Sequence, residues 1–213
     1  MGDFVADRWQ DILYRAFQHL SLVVQSVALA AIIAILLAVL VTRVPALKPL
    51  ANSISAIGLT IPSFALLGLL LPLVGIGALP SIIAVAFYAT LPILRNAVVG
   101  LSEVSPTLLE SARGMGMSSM TRFARVQLPL AWPVIMTGLR VSAQMSMGVA
   151  AIAAYALGPG LGGYIFTGLA QIGGANALNY ALVGTLGVVV LALVLDAALL
   201  VVSKLTTSKG IRA

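Results

Sequence analysis

The chain has 213 residues, of which 61% are hydrophobic and only 8% are charged, and it contains no cysteine. A water-soluble domain carries about 25% charged residues, so this composition excludes a soluble globular protein. The absence of cysteine excludes disulfide bonds and thiolate metal sites. The formal net charge of +6 would suggest nucleic acid in a soluble protein, but the cations lie beside apolar segments. Membrane topology therefore explains the charge, and we expect no nucleic-acid partner.

The first segment, residues 1–18, predicts an amphipathic helix on the outer membrane surface. Phe4, Trp9 and Phe17 recur near helical spacing, with charged residues between them. The acidic start lacks the positive region that begins a secretory signal peptide. A frayed tail is the alternative. We divide the chain into this segment and a single transmembrane domain over 19–213.

Five apolar stretches come next, and each approaches the roughly 20 residues that a helix needs to cross a bilayer. The sequence thus predicts an all-α polytopic membrane protein with about five transmembrane helices. The predicted spans are 19–42, 54–74, 79–94, a stretch within 133–157, and 180–202.

Charge predicts how these spans are oriented. Nine of the 12 basic residues lie in loops 43–53 and 95–128 and in the C-terminal tail, which holds Lys204, Lys209 and Arg212. The loops 75–78 and 158–179 hold no charged residue. Because Lys- and Arg-rich loops stay in the cytoplasm, we expect the N-terminus outside and the C-terminus inside.

The longest polar interruption, at about 103–129, predicts two short helices joined by a turn. Ser105-Pro106 is a good helix start, with a capping hydroxyl before a proline at the first helical position. Gly116 permits a sharp turn because glycine accepts positive φ cheaply. Ser118 or Ser119 can cap the second helix, and Leu128-Pro129 would end it. A helical projection of this kind can transmit rigid-body movement between two spans.

The same segment carries a spaced motif. It reads Glu110-Ser111-Ala112, three residues, Gly116, nine residues, Val126, one residue and Leu128-Pro129. This resembles the cytoplasmic EAA loop of binding-protein-dependent ABC importer permeases, whose pattern is Glu-Ala-Ala-x3-Gly-x9-Ile-x-Leu-Pro. The resemblance implies a type I importer fold in which this loop couples to the ATPase, through residues that would be Glu110, Ser111, Ala112, Arg113, Gly116, Met117, Leu128 and Pro129. The alternative is an amphipathic hairpin that lies on anionic headgroups through Arg122 and Arg125.

Other stretches extend the resemblance. Residues 60–77, 87–101, 110–117 and 157–169 look like the permeases of glycine betaine/carnitine/choline (osmoprotectant) uptake systems. One departure is Gly163, where members often carry an acid. The resemblance implies a permease subunit of an ATP-driven importer for compatible solutes such as glycine betaine, choline or carnitine.

The resemblance also implies the partners and the location. A second permease chain would complete the pathway as a homodimer or heterodimer. Separate ABC ATPase subunits would bind ATP and Mg²⁺, and a separate extracytoplasmic solute-binding protein would deliver the solute. The location would be the bacterial cytoplasmic (inner) membrane. We expect no cofactor, no metal and no enzymatic activity in this chain, because His19 is the sole histidine and no Walker phosphate-binding loop occurs.

Two other functions stay open. One is a permease for another small solute, such as an amino acid, with the same fold. The other is a secondary transporter or channel subunit, which would predict ion-coupling carboxylates within the spans. Asp196 is the single acidic residue there, which argues against the second alternative.

Two charges and two prolines inside the spans are further candidates. Arg140 and Asp196 each lie about 12–16 Å from the predicted cytoplasmic helix ends. Intramembrane charges are costly and usually have partners, so we predict an ion pair between them; alternatively, Arg140 marks the start of the fourth span. Pro62 and Pro92 remove backbone hydrogen bonds, which makes them candidate kink or gate positions.

Overall fold

A computed structural model describes residues 1–207, and Lys209 and Arg212 of the predicted cytoplasmic tail lie outside them. Within the described residues the regular structure is helical, with no strand. One π-helical turn (Phe123–Gln127) and one 3₁₀ turn (Ala154–Ala156) flank the seventh helix. The nine α-helices of the described part are α1 (Gly2–Arg43), α2 (Leu47–Thr60), α3 (Ser63–Val74), α4 (Ala78–Ser102), α5 (Pro106–Gly114), α6 (Ser119–Arg122), α7 (Leu128–Ala153), α8 (Gly162–Ala170) and α9 (Ala177–Thr206).

The N-terminal segment is continuous with the first span. Helix α1 has 42 residues without a break, so it is about 63 Å long and far exceeds a hydrocarbon core of ~30 Å. The predicted amphipathic helix 1–18 is therefore the N-terminal part of α1 rather than a separate element.

Three helices, α1, α4 and α9, are long and apolar enough to cross a membrane, and α2 with α3 makes a fourth if this bent pair is one span. Helix α7 has 26 residues and is long enough, but Arg140, Gln144 and several serines make it less apolar. It packs against α1, α4 and α9. Ser142 and Ser146 of α7 are buried and Arg140 pairs with Asp196 on α9, whereas Thr137 and Gln144 are exposed.

The second predicted span, 54–74, is wrong as a straight helix. Helices α2 and α3 meet at an angle of 93°. Ile61 is extended, with φ −65° and ψ 124°, as expected for the residue before a proline. Pro62 has no N–H to continue the hydrogen-bond ladder. The hydroxyl of Tyr88 on α4 donates to the carbonyl of Ile61, so a neighbouring helix supplies a partner for the break.

The third predicted span, 79–94, ends too early. Helix α4 continues to Ser102, and its last two turns bury Ala97, Val98 and Leu101. A hydropathy window stops at Arg95 because of its charge, but the helical backbone continues because the next apolar positions still face the core. Arg95 is thus an internal residue of a membrane helix.

The core lies where α1, α4 and α7 meet, and small residues allow the helices to approach closely. At Gly138 the helices are so close that an added Cβ would lie 2.7 Å from the Cβ of Asn96. At Gly100 an added Cβ would lie 3.0 Å from the carbonyl oxygen of Ala131. Such small-residue contacts are typical of helix pairs in membranes.

Candidate functional site

Helix α5 begins where the sequence predicts, but without the predicted hydroxyl cap. Pro106 is its first residue, and Ser105 is extended. The side chain of Ser105 makes no capping hydrogen bond; its carbonyl oxygen instead accepts from the N–H groups of Leu108 (3.1 Å) and Leu109 (3.3 Å).

Gly116 makes the turn after α5, with a φ of +81°. The Gly116 N–H donates to the Arg113 carbonyl at 2.9 Å, and the Met117 N–H donates to the Ala112 carbonyl at 3.1 Å. These two bonds form a Schellman motif, in which glycine takes the left-handed position after the helix end. The direction of the chain after α5 is therefore defined by hydrogen bonds.

Ser118 begins the next helix as predicted. Its hydroxyl oxygen accepts from the Thr121 N–H at 3.2 Å, which is an N-cap interaction. The predicted end of this helix at Leu128-Pro129 is wrong, because α6 passes through a π turn directly into α7. The Leu128 N–H donates to the Phe123 carbonyl, five residues earlier. In a continuous α-helix, the Pro129 ring would interfere with the hydrogen bonds of the preceding turn. The wider π turn shifts those hydrogen bonds.

The surface of this coupling segment (103–129) mixes charged and apolar side chains. Of the predicted coupling residues, Glu110, Ser111, Arg113, Gly116 and Pro129 are exposed, Met117 and Leu128 are half-buried, and Ala112 is buried. Glu110 makes no hydrogen bond or ion pair with another described residue. Three large apolar side chains are also strongly exposed: Leu108 (50%), Met115 (70%) and Met120 (68%).

Arg140 and Asp196 are brought together across α7 and α9. The Arg140 Nε donates to Asp196 Oδ1 at 2.8 Å, and Nη2 donates to Oδ2 at 2.9 Å. The two side chains are 32% and 18% exposed. Parallel hydrogen bonds of this kind give both strength and a defined orientation, so the pair connects the peripheral helix α9 to the centre of the bundle.

The two candidate prolines have different surroundings. Pro62 is exposed at the 93° break between α2 and α3. Pro92 is buried inside α4, where the helix continues past it. The Asn96 side-chain N–H donates to the Pro92 carbonyl at 2.9 Å. The chain therefore changes direction at Pro62 and not at Pro92.

A cluster between the N-terminal part of α1 and α8 has no signal in the sequence beyond the i,i+4 pair of Asp11 and Arg15. Tyr164 on α8 donates its hydroxyl to Asp11 at 2.6 Å, and Asp11 pairs with Arg15 at 2.9 Å. The Arg8 guanidinium lies 4.5 Å from the ring centre of Phe4. Burial, with the neighbouring Asp11 carboxylate, raises the pKa of the Tyr164 hydroxyl well above its usual range. The hydroxyl therefore stays a donor that links α1 to α8.

Within residues 1–207, no group of three or more histidine, cysteine, aspartate or glutamate side chains could hold a metal ion.

Comparison with known proteins matches the chain along most of its length. Residues 26–207 match the family described as "Binding-protein-dependent transport system inner membrane component". The glycine betaine/carnitine/choline transport system permease protein OpuCB of Bacillus subtilis (strain 168) is 36% identical over 212 residues, which cover 100% of this chain and 96% of the relative. The osmoprotectant import permease protein OsmW of Salmonella typhimurium (strain LT2) is 40% identical over 201 residues and covers 92% of both chains.

Solved structures show the same fold. A chain of the MetNI methionine ABC transporter in an inward-facing conformation superposes with a TM-score of 0.78 at 24% sequence identity, over 92% of this chain and 97% of that chain. At this identity the likeness concerns the fold alone.

Proposed function

We propose that this chain transports compatible solutes with a quaternary ammonium group. It belongs to the family of binding-protein-dependent transport system inner membrane components. It is thus a multi-pass permease subunit of an ABC importer, and a separate subunit hydrolyses ATP. Glycine betaine, choline and carnitine are the candidate solutes. Support comes from relatives named for these solutes that are 36–37% identical over nearly the whole chain. The methionine transporter shares 24% identity with this chain, so its likeness concerns the fold and does not support an amino-acid solute.

The proposed coupling role is supported mainly by the local structure of segment 103–129. A Schellman turn at Gly116 and a serine cap at Ser118 make it rigid, and its second helix runs without interruption into α7. Leu108, Met115 and Met120 are strongly exposed and lie in the same segment as Glu110. Exposed apolar patches mark protein interfaces, and an ATPase cleft is the partner that fits an importer subunit.

The remaining parts of the proposal concern orientation and assembly. The basic loops support an orientation with the N-terminus outside and the C-terminus in the cytoplasm of a bacterial cell. ATP and Mg²⁺ then bind the partner ATPase on the cytoplasmic side, and a solute-binding protein docks outside. A second permease chain, identical or related, completes the pathway.

The test is uptake of radiolabelled glycine betaine by vesicles that contain the reconstituted importer and the binding protein, with ATP supplied on the side of the ATPase. We expect ATP-dependent uptake in the wild type and its loss in Glu110→Lys, because the reversed charge lies at the proposed ATPase contact. Glu103→Lys is the matched control, since Glu103 is an exposed acid of the same segment outside the motif. Co-purification of all subunits checks that assembly persists.

The outcomes separate the parts of the proposal. ATP-dependent uptake of an amino acid, with no uptake of quaternary ammonium solutes, would keep the importer and overturn the solute class. Equal loss of uptake in Glu103→Lys and Glu110→Lys would remove the special role of Glu110. Uptake that depends neither on ATP nor on the residue at position 110 would contradict the coupling proposal.

A further inference from the structure

Two arginines lie at similar depth in the bundle, and only one has a partner. Gly138 on α7 packs against Asn96 and Pro92 on α4, and the Ser142 hydroxyl donates to the Ala89 carbonyl. The two helices are antiparallel at these contacts, so Arg95 lies within about one helical turn, ~5 Å, of the level of Arg140. Arg140 holds Asp196.

Arg95 has no such counter-charge. It is exposed and forms no hydrogen bond or ion pair with any described residue. Asp196 is the sole acidic residue of the predicted spans, and Arg140 already binds both of its oxygens. A second copy of this chain would therefore bring no free intramembrane carboxylate to Arg95.

The face of α4 that carries Arg95 also borders the broken helix. Tyr88 lies seven residues, or two turns, before Arg95 and so on the same face, and its hydroxyl bonds the Ile61 carbonyl at the α2–α3 break. Thr60 and Pro62 at this break are exposed. Irregular backbone at membrane depth is tolerated only when it is buried in protein or lines water. An unpaired intramembrane arginine has the same requirement.

Arg95 and the break at Thr60–Pro62 are thus two exposed polar features on the α2–α3 side of α4. We propose that Arg95 binds the carboxylate of a zwitterionic solute as it passes through the membrane, which rests on the function proposed above. A guanidinium holds a carboxylate through charge-assisted hydrogen bonds. Glycine betaine and carnitine have this group, whereas choline has the same trimethylammonium end without a carboxylate. Arg95 therefore favours betaines over choline.

The experiment compares maximal ATP-dependent uptake rates of glycine betaine and choline in the reconstituted importer, each at saturating solute. We expect Arg95→Gln to lower the betaine-to-choline rate ratio by about tenfold, the loss of roughly one charge-assisted hydrogen bond. Arg95→Lys should lower it less, because it keeps the charge but not the fork. Arg43→Gln is the control: it removes another exposed cation without a described partner, at the end of α1.

The binding protein is identical in every sample, so a changed ratio belongs to the permease. An equal fall of both rates in Arg95→Gln, or an unchanged ratio, would overturn the inference alone. Transport of neither solute by the wild type would overturn the proposed function and the inference with it.

A second measurement does not depend on transport. Because the chain has no cysteine, Arg95→Cys introduces a single thiol whose reaction with a charged, membrane-impermeant methanethiosulfonate can be followed on this chain. We expect modification of Arg95→Cys that glycine betaine slows. Leu193→Cys, on the 67% exposed outer face of α9, should stay unmodified because lipid covers it. An unreactive thiol at position 95 would contradict a water-filled pathway there.

Discussion

Gly116 in the coupling segment and Gly162 at the outer end of the bundle are both required as glycines, for opposite reasons. Gly116 has a φ of +81°, and an added Cβ would meet nothing within 4 Å. Gly162 has no such backbone, but an added Cβ would lie 2.0 Å from the Ala151 carbonyl oxygen. The coupling segment is thus shaped by local conformation, and the membrane bundle is shaped by close approach of distant residues. Substitutions that separate these two causes test the comparison.

The largest effect is expected for Gly162→Ala. Its Cβ would collide with backbone that cannot move without displacing α7, so we expect a loss of roughly 3 kcal/mol or more in stability. Loss of the monodisperse peak in size-exclusion chromatography after mild heating would measure it. Gly163→Ala is the matched control, since its Cβ would meet only the flexible end of Arg15, at 3.0 Å. Equal damage from both variants would refute the steric explanation.

A smaller effect is expected where the bundle depends on an ion pair. Asp196→Leu leaves Arg140 without its carboxylate, and because the pair is partly exposed we expect a loss of about 2 kcal/mol, below the cost for a fully buried pair. The double variant Arg140→Leu/Asp196→Leu should recover much of the loss, because no unpaired charge remains. Thermal unfolding in detergent measures all three proteins. No recovery in the double variant would show that the pair itself is not the cause.

In the coupling segment, Gly116→Val should act on transport rather than on the bundle. A β-branched residue in left-handed backbone costs about 1–2 kcal/mol, and the strain is relieved by reshaping the turn. We therefore expect ATP-dependent uptake to fall severalfold while the melting temperature of the bundle stays unchanged. Gly116→Asn should be milder, since asparagine tolerates this conformation. If Gly116→Val lowered the melting temperature as much as Gly162→Ala does, the two regions would not differ as expected.

The smallest effect is expected for Ser118→Ala. Removing the hydroxyl that accepts from the Thr121 N–H should cost about 1 kcal/mol, confined to α6. Amide hydrogen exchange of residues 119–122 should quicken, with the amides of α7 beyond the π turn unaffected. Ser119→Ala, which removes a hydroxyl without this bond, is the control. Quickened exchange throughout α7 would mean that the cap stabilises the whole inner end of that helix.

These contrasts explain which features could be foreseen. The turn at Gly116 and the cap at Ser118 were predictable because each depends on residues within a few positions of one another. The predicted hydroxyl cap at Ser105 is wrong, because the helix begins after Ser105 without a hydrogen bond from its side chain. The Glu110–Pro129 spacing identified the family, which the match over residues 26–207 confirms. The orientation of the termini and the role of each coupling residue stay predictions.

The sequence predictions were wrong where a hydropathy profile was used to locate the bends and ends of helices. A window of apolar residues could not reveal the 93° break at Pro62, because the break is stabilised from outside by Tyr88. The same kind of window ended the third predicted span before the charged Arg95, although α4 continues to Ser102. The cluster of Tyr164 with Asp11 joins residues 153 positions apart, and no local pattern encodes such a contact.

The sequence by itself determined the class of protein: its apolar runs require a membrane, its basic loops predict an orientation, and one spaced motif predicts the coupling segment. Those properties follow from solvation and from the backbone preferences of neighbouring residues. The sequence also predicted the Arg140–Asp196 pair, but tertiary structure alone decided that Arg95 has no partner among the described residues. Arg140 and Arg95 have the same chemistry and similar depth, yet only Arg140 faces Asp196. The difference arises from helix packing, which turns one arginine toward α9 and leaves the other open beside the broken helix.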